Sequence, residues 1–355
     1  MTDFLNTAAV HASGLSANHS LAAVLSGRDD ILVMTEQAHN AALTPDEPGG
    51  LSHGERAALR CRMARQNAET ALADHFADLM DAASSEIADP EFDGGADARL
   101  AAILRHTDLV TSDAKSVVAG DIDVLKGAGV SEDDIVRLSE LIAFISYQIP
   151  FDDWVAPDGR RPMSDVLHDF TTTVPHWRPR VTPIKLEDAT PDQLDALKVT
   201  PSVTKVSDYV LVLARDSETL RERMPLFNAI MYNRGGMSRA ERELGAVGTS
   251  VVNRCVYCAA VHASRYNVLA KDTGVMERIF TDEDKAELDP RQQAIFDFSV
   301  KLSQTPPEVS KADMEALKAA GLDPAEILDL VLSSALFGWA NRLMHTLGDP
   351  VEKED

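Results

Sequence analysis

Cysteine is nearly absent from this chain: 355 residues contain three, Cys61, Cys255 and Cys258. A disulfide-stapled secreted fold would carry more of them, in even number. Cationic residues are also scarce. Thirty-four Lys and Arg face 57 Asp and Glu, a net charge of −23. Such a surface repels phosphate backbones and anionic bilayers, which excludes nucleic acid and membrane as expected partners. Long apolar runs are missing as well. The strongest, Ile327 to Ala340, contains Asp329 and two serines, and falls short of the ~20 apolar residues that cross a bilayer. The first residues offer neither a basic start nor an apolar signal core, so a cytoplasmic protein is expected. Neither a dinucleotide fingerprint after a strand nor a P-loop occurs, and no cofactor is expected.

What is present is helix. Ala/Leu/Glu-rich segments recur at 3.6-residue spacing without a run of alternating β-branched residues, which predicts an all-α fold. The length suits two domains. Pro150, Pro157, Pro162, Pro175, Pro179, Pro183, Pro191 and Pro201 crowd one stretch, read as a linker or wrapping segment over 151–201 between helical units at 1–150 and 202–355. The two units resemble each other. The stretch from Gly49 matches that from Gly235 at an offset of 186, and the stretch from Asp121 matches that from Asp313 at an offset of 192. Two matches in one order point to a duplication. Ser52 with Glu55, and Ser238 with Glu241, form the same capping box, so both glutamates are read as structural.

The cysteines break the symmetry. Cys255 and Cys258 stand at i, i+3 and His262 follows Cys258 by four, so all three share one helix face. A dithiol within one turn and an imidazole one turn on make a redox unit: the imidazole takes a thiol proton, and the thiolate is the nucleophile. Glu243 lies 15 residues before Cys258, about 22 Å away on a straight helix. It reaches His262 only if the helix breaks, and the expected break is at Asn253, read as the N-cap of a second helix. That cap would put Cys255 in the first turn, where the dipole favours its thiolate; His262 favours Cys258 instead. At an offset of 186 the first unit carries Ala57, Glu69, Leu72 and Phe76 in place of Glu243, Cys255, Cys258 and His262. It reads as a copy without the chemistry.

Glu243, then Cys255-Val256-Tyr257-Cys258, then His262, resembles the alkylhydroperoxidase-like branch of the carboxymuconolactone decarboxylase family. The segment Gly338 to Gly348 is similar to the closing helix of its peroxidase-related members. The resemblance implies a duplicated all-α alkylhydroperoxidase-like fold with the CxxC motif in the second copy alone. It also implies reduction of organic hydroperoxides, an external thiol reductant and a homo-oligomer. By the same resemblance Cys258 attacks the peroxide, Cys255 resolves, and Glu243 with His262 relays protons; some members carry His at the place of Tyr257, whose hydroxyl could serve substrate or relay.

Other readings of the same residues remain. The pair could act as a general thiol-disulfide oxidoreductase. A decarboxylase or lyase for a small cyclic acid is a further family activity, although such members generally lack the dithiol. A zinc site would need a fourth ligand, and no second Cys/His cluster accompanies the motif, so no metal is expected. A non-enzymatic scaffold rests on the first unit alone. Cys61 reads as a packed or partly exposed free thiol, and Phe337 and Trp339 as core or subunit contacts. Of Asn341, Arg342 and His345 on the closing helix, one or more could line a pocket.

Overall fold

The structure, a computed structural model, describes Thr7 and residues 22–148, 169–199, 206–283, 286–305 and 307–352. Pro150, Pro157, Pro162, Pro201, His11, His19 and His168 lie outside these residues, as does most of the first part of the Pro-rich segment. The fold is all-α. The first run of helices is α1 (Asp29–Leu43), α2 (His53–Gln66), α3 (Thr70–Ala77), α4 (Ala98–Asp113), α5 (Ala119–Gly127) and α6 (Glu132–Gln148). The second is α7 (Ser217–Tyr232), α8 (Arg239–Val252), α9 (Val256–Ala270), α10 (Gly274–Asp282), α11 (Pro290–Leu302), α12 (Lys311–Ala319) and α13 (Pro324–Leu347). Among the described residues the only sheet pairs β1 (His176–Pro179) with β2 (Gly348–Val351), antiparallel.

Local chemistry sets the helix ends. At α2 the Ser52 hydroxyl accepts from the Glu55 amide and Glu55 accepts from the Ser52 amide; Ser238 and Glu241 repeat this at α8. Each pair satisfies two backbone donors that would otherwise be orphaned. One turn on, Arg56 is fully buried and donates to the carbonyls of Ala42, Pro48 and Leu51. Arg242 does the same to Ile230, Asn233 and Gly235. Buried guanidinium groups that pin the preceding loop are therefore common to both runs. α2 and α8 stand at an offset of 186 at both ends, and α5 and α12 at an offset of 192.

The halves meet through like helices: α1 packs on α7, and α6 on α13. At the second contact the Tyr147 and Trp339 rings lie 6.1 Å apart, and Phe144 meets Trp339 edge-on at 4.8 Å. The larger apolar core runs from Ile31 to Leu347 and so includes both halves; a second, around Leu244, Phe296 and Leu330, belongs to the latter half. Phe337 and Trp339 are core residues, 1% and 0% exposed. α13 is long and apolar enough to span a membrane, with a mean hydropathy of 1.2, but 83% of that window is buried inside the protein. Between the halves, the described part of the Pro-rich segment wraps rather than hangs free. Trp177 is buried, and Arg180 ties Asp349 and the carbonyls of His345 and Val117.

Candidate active site

The site begins where α8 stops. Asn253 ends that helix, Arg254 takes a left-handed backbone (φ 56°), and the amides of Arg254 and Cys255 bond back to Val251 and Ser250. This is a Schellman closure, which normally recruits glycine at the left-handed place. The break thus falls where the sequence places it, but Asn253 plays a different part. It caps the C-terminus of α8, and Cys255 is the N-cap of α9, with its carbonyl accepting from Ala259. The reason is spacing: the closure needs two residues after Asn253, so the next helix cannot start until Val256. The first half closes α2 identically, with Asn67 as cap and Ala68 left-handed at φ 59°.

The turn folds α9 back along α8 and brings Glu243 to His262. The His262 Nδ1–H donates to the Glu243 carboxylate, and Arg239, one turn before Glu243, donates to the same group at 2.6 Å. Glu243 is 0% exposed. Burial pushes its carboxyl up, but the charge and hydrogen bond of His262 and then Arg239 outweigh this and hold it below the usual carboxylate range. An imidazole anchored through Nδ1 keeps Nε2 for proton exchange. The ring rests edge-on against Phe337, 4.2 Å between centroids, while Arg239 lies over the Tyr232 ring at 4.0 Å.

Both thiols of the pair are free, and Cys255 Sγ lies 2.8 Å from Cys258 Sγ. They are 3% and 5% exposed, and His262 is 5% exposed. Burial, then the neighbouring Cys258 sulfur, pushes the Cys255 thiol far up. Burial thus works against the thiolate that the dipole of α9 would favour at Cys255. Cys255 instead acts as a hydrogen-bond donor to Cys258, and a donor stabilises a thiolate on its partner. Tyr257 is half-buried; burial and then the sulfurs of Cys258 and Cys255 raise its hydroxyl.

Asn341 completes the surroundings. Wholly buried on α13, it accepts from Asn253 Nδ2 at 3.1 Å, donates to Ser250 at 3.2 Å and hydrogen-bonds the Cys255 thiol. The sequence flagged Asn341 only as a lining candidate, and Arg239 not at all. The i, i+4 relation of Arg239 to Glu243 was a readable signal. His345 donates through Nε2 to the Asn253 carbonyl at 2.7 Å, and burial lowers it to about 4, so it braces the turn as a neutral ring. Cys61 is buried, with its thiol donating to Ala73 at 3.3 Å, apart from this site.

Comparison with known proteins bears on this geometry. Residues 217–278, from α7 through most of α10, match the model of the carboxymuconolactone decarboxylase family. The chain is 31% identical to the core of alkylhydroperoxidase AhpD, an uncharacterized peroxidase-related protein from Ralstonia eutropha JMP134. That alignment covers 46% of this chain and 88% of that one, with a TM-score of 0.41. The chain belongs to the alkylhydroperoxidase-like, carboxymuconolactone decarboxylase family. The chain is also similar to an uncharacterized peroxidase-related protein from Silicibacter sp. TM1040, 27% identical over 45% of this chain and 86% of that one, with a TM-score of 0.39. No curated protein matches. In this family member, the matched segment carries Glu243, Cys255, Tyr257, Cys258 and His262.

Proposed function

We propose that the protein is a thiol-dependent peroxidase that reduces organic hydroperoxides through a Cys255–Cys258 dithiol/disulfide cycle. The observation that carries this reading is the 2.8 Å separation of two reduced, buried sulfurs beside an imidazole held by a buried carboxylate. In the resting state His262 keeps a proton on Nδ1, toward Glu243. Cys258 gives its proton to Nε2, and Glu243 stabilises the imidazolium that results. The Cys258 thiolate attacks the distal peroxide oxygen, the O–O bond breaks, and the leaving alkoxide takes the proton back from His262. Cys258 is now a sulfenic acid. The Cys255 sulfur attacks it, the S–O bond breaks, and the Cys255 proton leaves with hydroxide as water. An external thiol then reduces the disulfide.

Near-complete burial of both sulfurs favours a small peroxide over a folded protein disulfide as the first reactant, and Phe337 beside His262 favours an organic one. Tyr257, half-buried next to the nucleophile, is assigned to hydrogen bonding with substrate. The first half is taken as a duplicated copy without catalytic residues, and the molecule as a cytoplasmic homo-oligomer. Stopped-flow oxidation of the reduced dithiol tests the activity. The expected rate for an alkyl hydroperoxide is at least about a hundredfold above that of a free thiol at equal pH, the scale of positioned acid–base catalysis. A rate equal to the free thiol would leave the general oxidoreductase reading.

A further inference from the structure

A cleft between the two halves, reaching Asn253 and His345 at the turn, has an unusual charge. Two adjoining cavities of about 30 and 60 Å³ share Ser303, Gln304, Thr305 and Arg342. The smaller reaches Thr111 and Ser146 of the first half, and the larger reaches Lys115 and His345. Arg342 is 8% exposed and donates to the Gly338 carbonyl at 3.3 Å and the Thr305 hydroxyl at 3.0 Å. Among the described residues no carboxylate pairs with it. The other buried arginine nearby, Arg180, is paired with Asp349. Asp113, which also borders the larger cavity, accepts from Ser116.

An unpaired buried guanidinium is costly, because it gives up hydration without a counter-charge. In a chain with a net charge of −23, acidic residues to neutralise it were abundant, yet among the described residues none is used. A second observation points the same way. Thr111 is 4% exposed, borders the smaller cavity, and its hydroxyl has no hydrogen-bond partner among the described residues. An orphaned hydroxyl and an uncompensated cation on residues bordering one small space lack the same thing, an oxygen-rich anion.

We infer that this inter-half cleft binds a small oxyanion, a carboxylate or an inorganic phosphate, on Arg342, Thr111 and the Ser303–Thr305 loop. The guanidinium fork donates to two anion oxygens and the Thr111 hydroxyl to one of them, while Thr305, which accepts from Arg342, keeps its proton for the anion and Ser303 donates to Thr249. Burial lowers Arg342 to about 10, still charged at neutral pH, so the site is ready without a protonation step. It is separate from the dithiol and independent of the peroxidase reading. Arg342 follows Asn341 on α13, so a bound anion would stiffen the segment that holds Cys255.

Calorimetric titration of the full chain with inorganic phosphate and with acetate, in chloride buffer of constant ionic strength, tests the site. Saturable binding of one equivalent is expected, with the tighter of the two probes distinguishing a phosphate site from a carboxylate site. R342Q is expected to weaken binding at least about tenfold, as loss of a buried charged donor does. T111V exchanges the orphaned hydroxyl for a methyl group and K115Q removes the rim charge; each is expected to weaken binding about threefold or more, and they carry the test if R342Q does not fold. Absence of saturable heat with both probes, or unchanged affinity in T111V and K115Q, overturns the inference.

Discussion

At the scale of single residues, the site turns on how Glu243 stays ionised while wholly buried. Two donors surround it, the His262 ring and the Arg239 guanidinium, and together they outweigh the desolvation that would otherwise neutralise it. Glu243→Gln keeps the shape and removes the charge, so the imidazolium formed during thiol activation loses its stabiliser. Peroxide oxidation of the dithiol is expected to slow by about a hundredfold, read by stopped flow. The same substitution has a pH signature in stability. A carboxyl held below its unfolded value near 4.3 stabilises the fold above that value, and the contribution disappears as pH falls through the lower folded value. Glu243→Gln is therefore expected to be less stable than the parent in urea at pH 7, with the difference closing below about pH 4. An equal gap at both pH values would mean that Glu243 is buried uncharged. Spacing alone put Cys258 and His262 on one helix face, because helix geometry is local, whereas Cys255 precedes that helix as its N-cap. Asn341 was out of reach of that reasoning: it touches Cys255 only because α13 returns across the turn, a contact set by packing.

At the scale of elements, the turn between α8 and α9 positions the chemistry, and its counterpart between α2 and α3 has the same backbone without the chemistry. Both place a non-glycine residue left-handed, Arg254 and Ala68, at roughly 1–2 kcal/mol each. Arg254 is compensated by an ion pair with Glu283 at 2.7 Å and by stacking over Phe170 at 4.6 Å. Ala68 has no side chain with which to do this. Ala68→Gly is accordingly expected to raise unfolding stability by about 1 kcal/mol, and Ala68→Val to lower it by at least as much, measured by urea titration. Loss of stability in the glycine variant would show that Ala68 is unstrained. The sequence marked a break at this point but assigned Asn253 to the wrong helix. Asn serves at either end of a helix, and only the length of the closing motif decides between the two.

At the scale of the molecule, the two runs of helices share one core, and the contact between α6 and α13 contains a titrating group the sequence did not single out. Glu140 is 1% exposed and accepts from the Trp339 indole at 2.8 Å. Burial raises it to about 7. A carboxyl raised in the folded state favours folding fully below its unfolded value, and that favour is lost as pH rises through the folded value. The protein is thus expected to lose stability between about pH 4.3 and 7, and Glu140→Gln to flatten that slope, in unfolding titrations across the range. An unchanged slope would place the titration elsewhere. The all-α architecture was legible because helical periodicity pervades the sequence. The way the halves join was not, since a buried Glu140 reads in sequence as any helix-surface glutamate.

The central claim is that Cys258 attacks a peroxide and Cys255 resolves it. Intact-mass analysis after one equivalent of an alkyl hydroperoxide tests it most directly. The account expects the parent protein to lose two hydrogens, Cys255→Ser to gain one oxygen on Cys258, and Cys258→Ser to remain unmodified. Oxygen appearing on Cys255 in the Cys258→Ser protein, with Cys258 inert in the other, would contradict it.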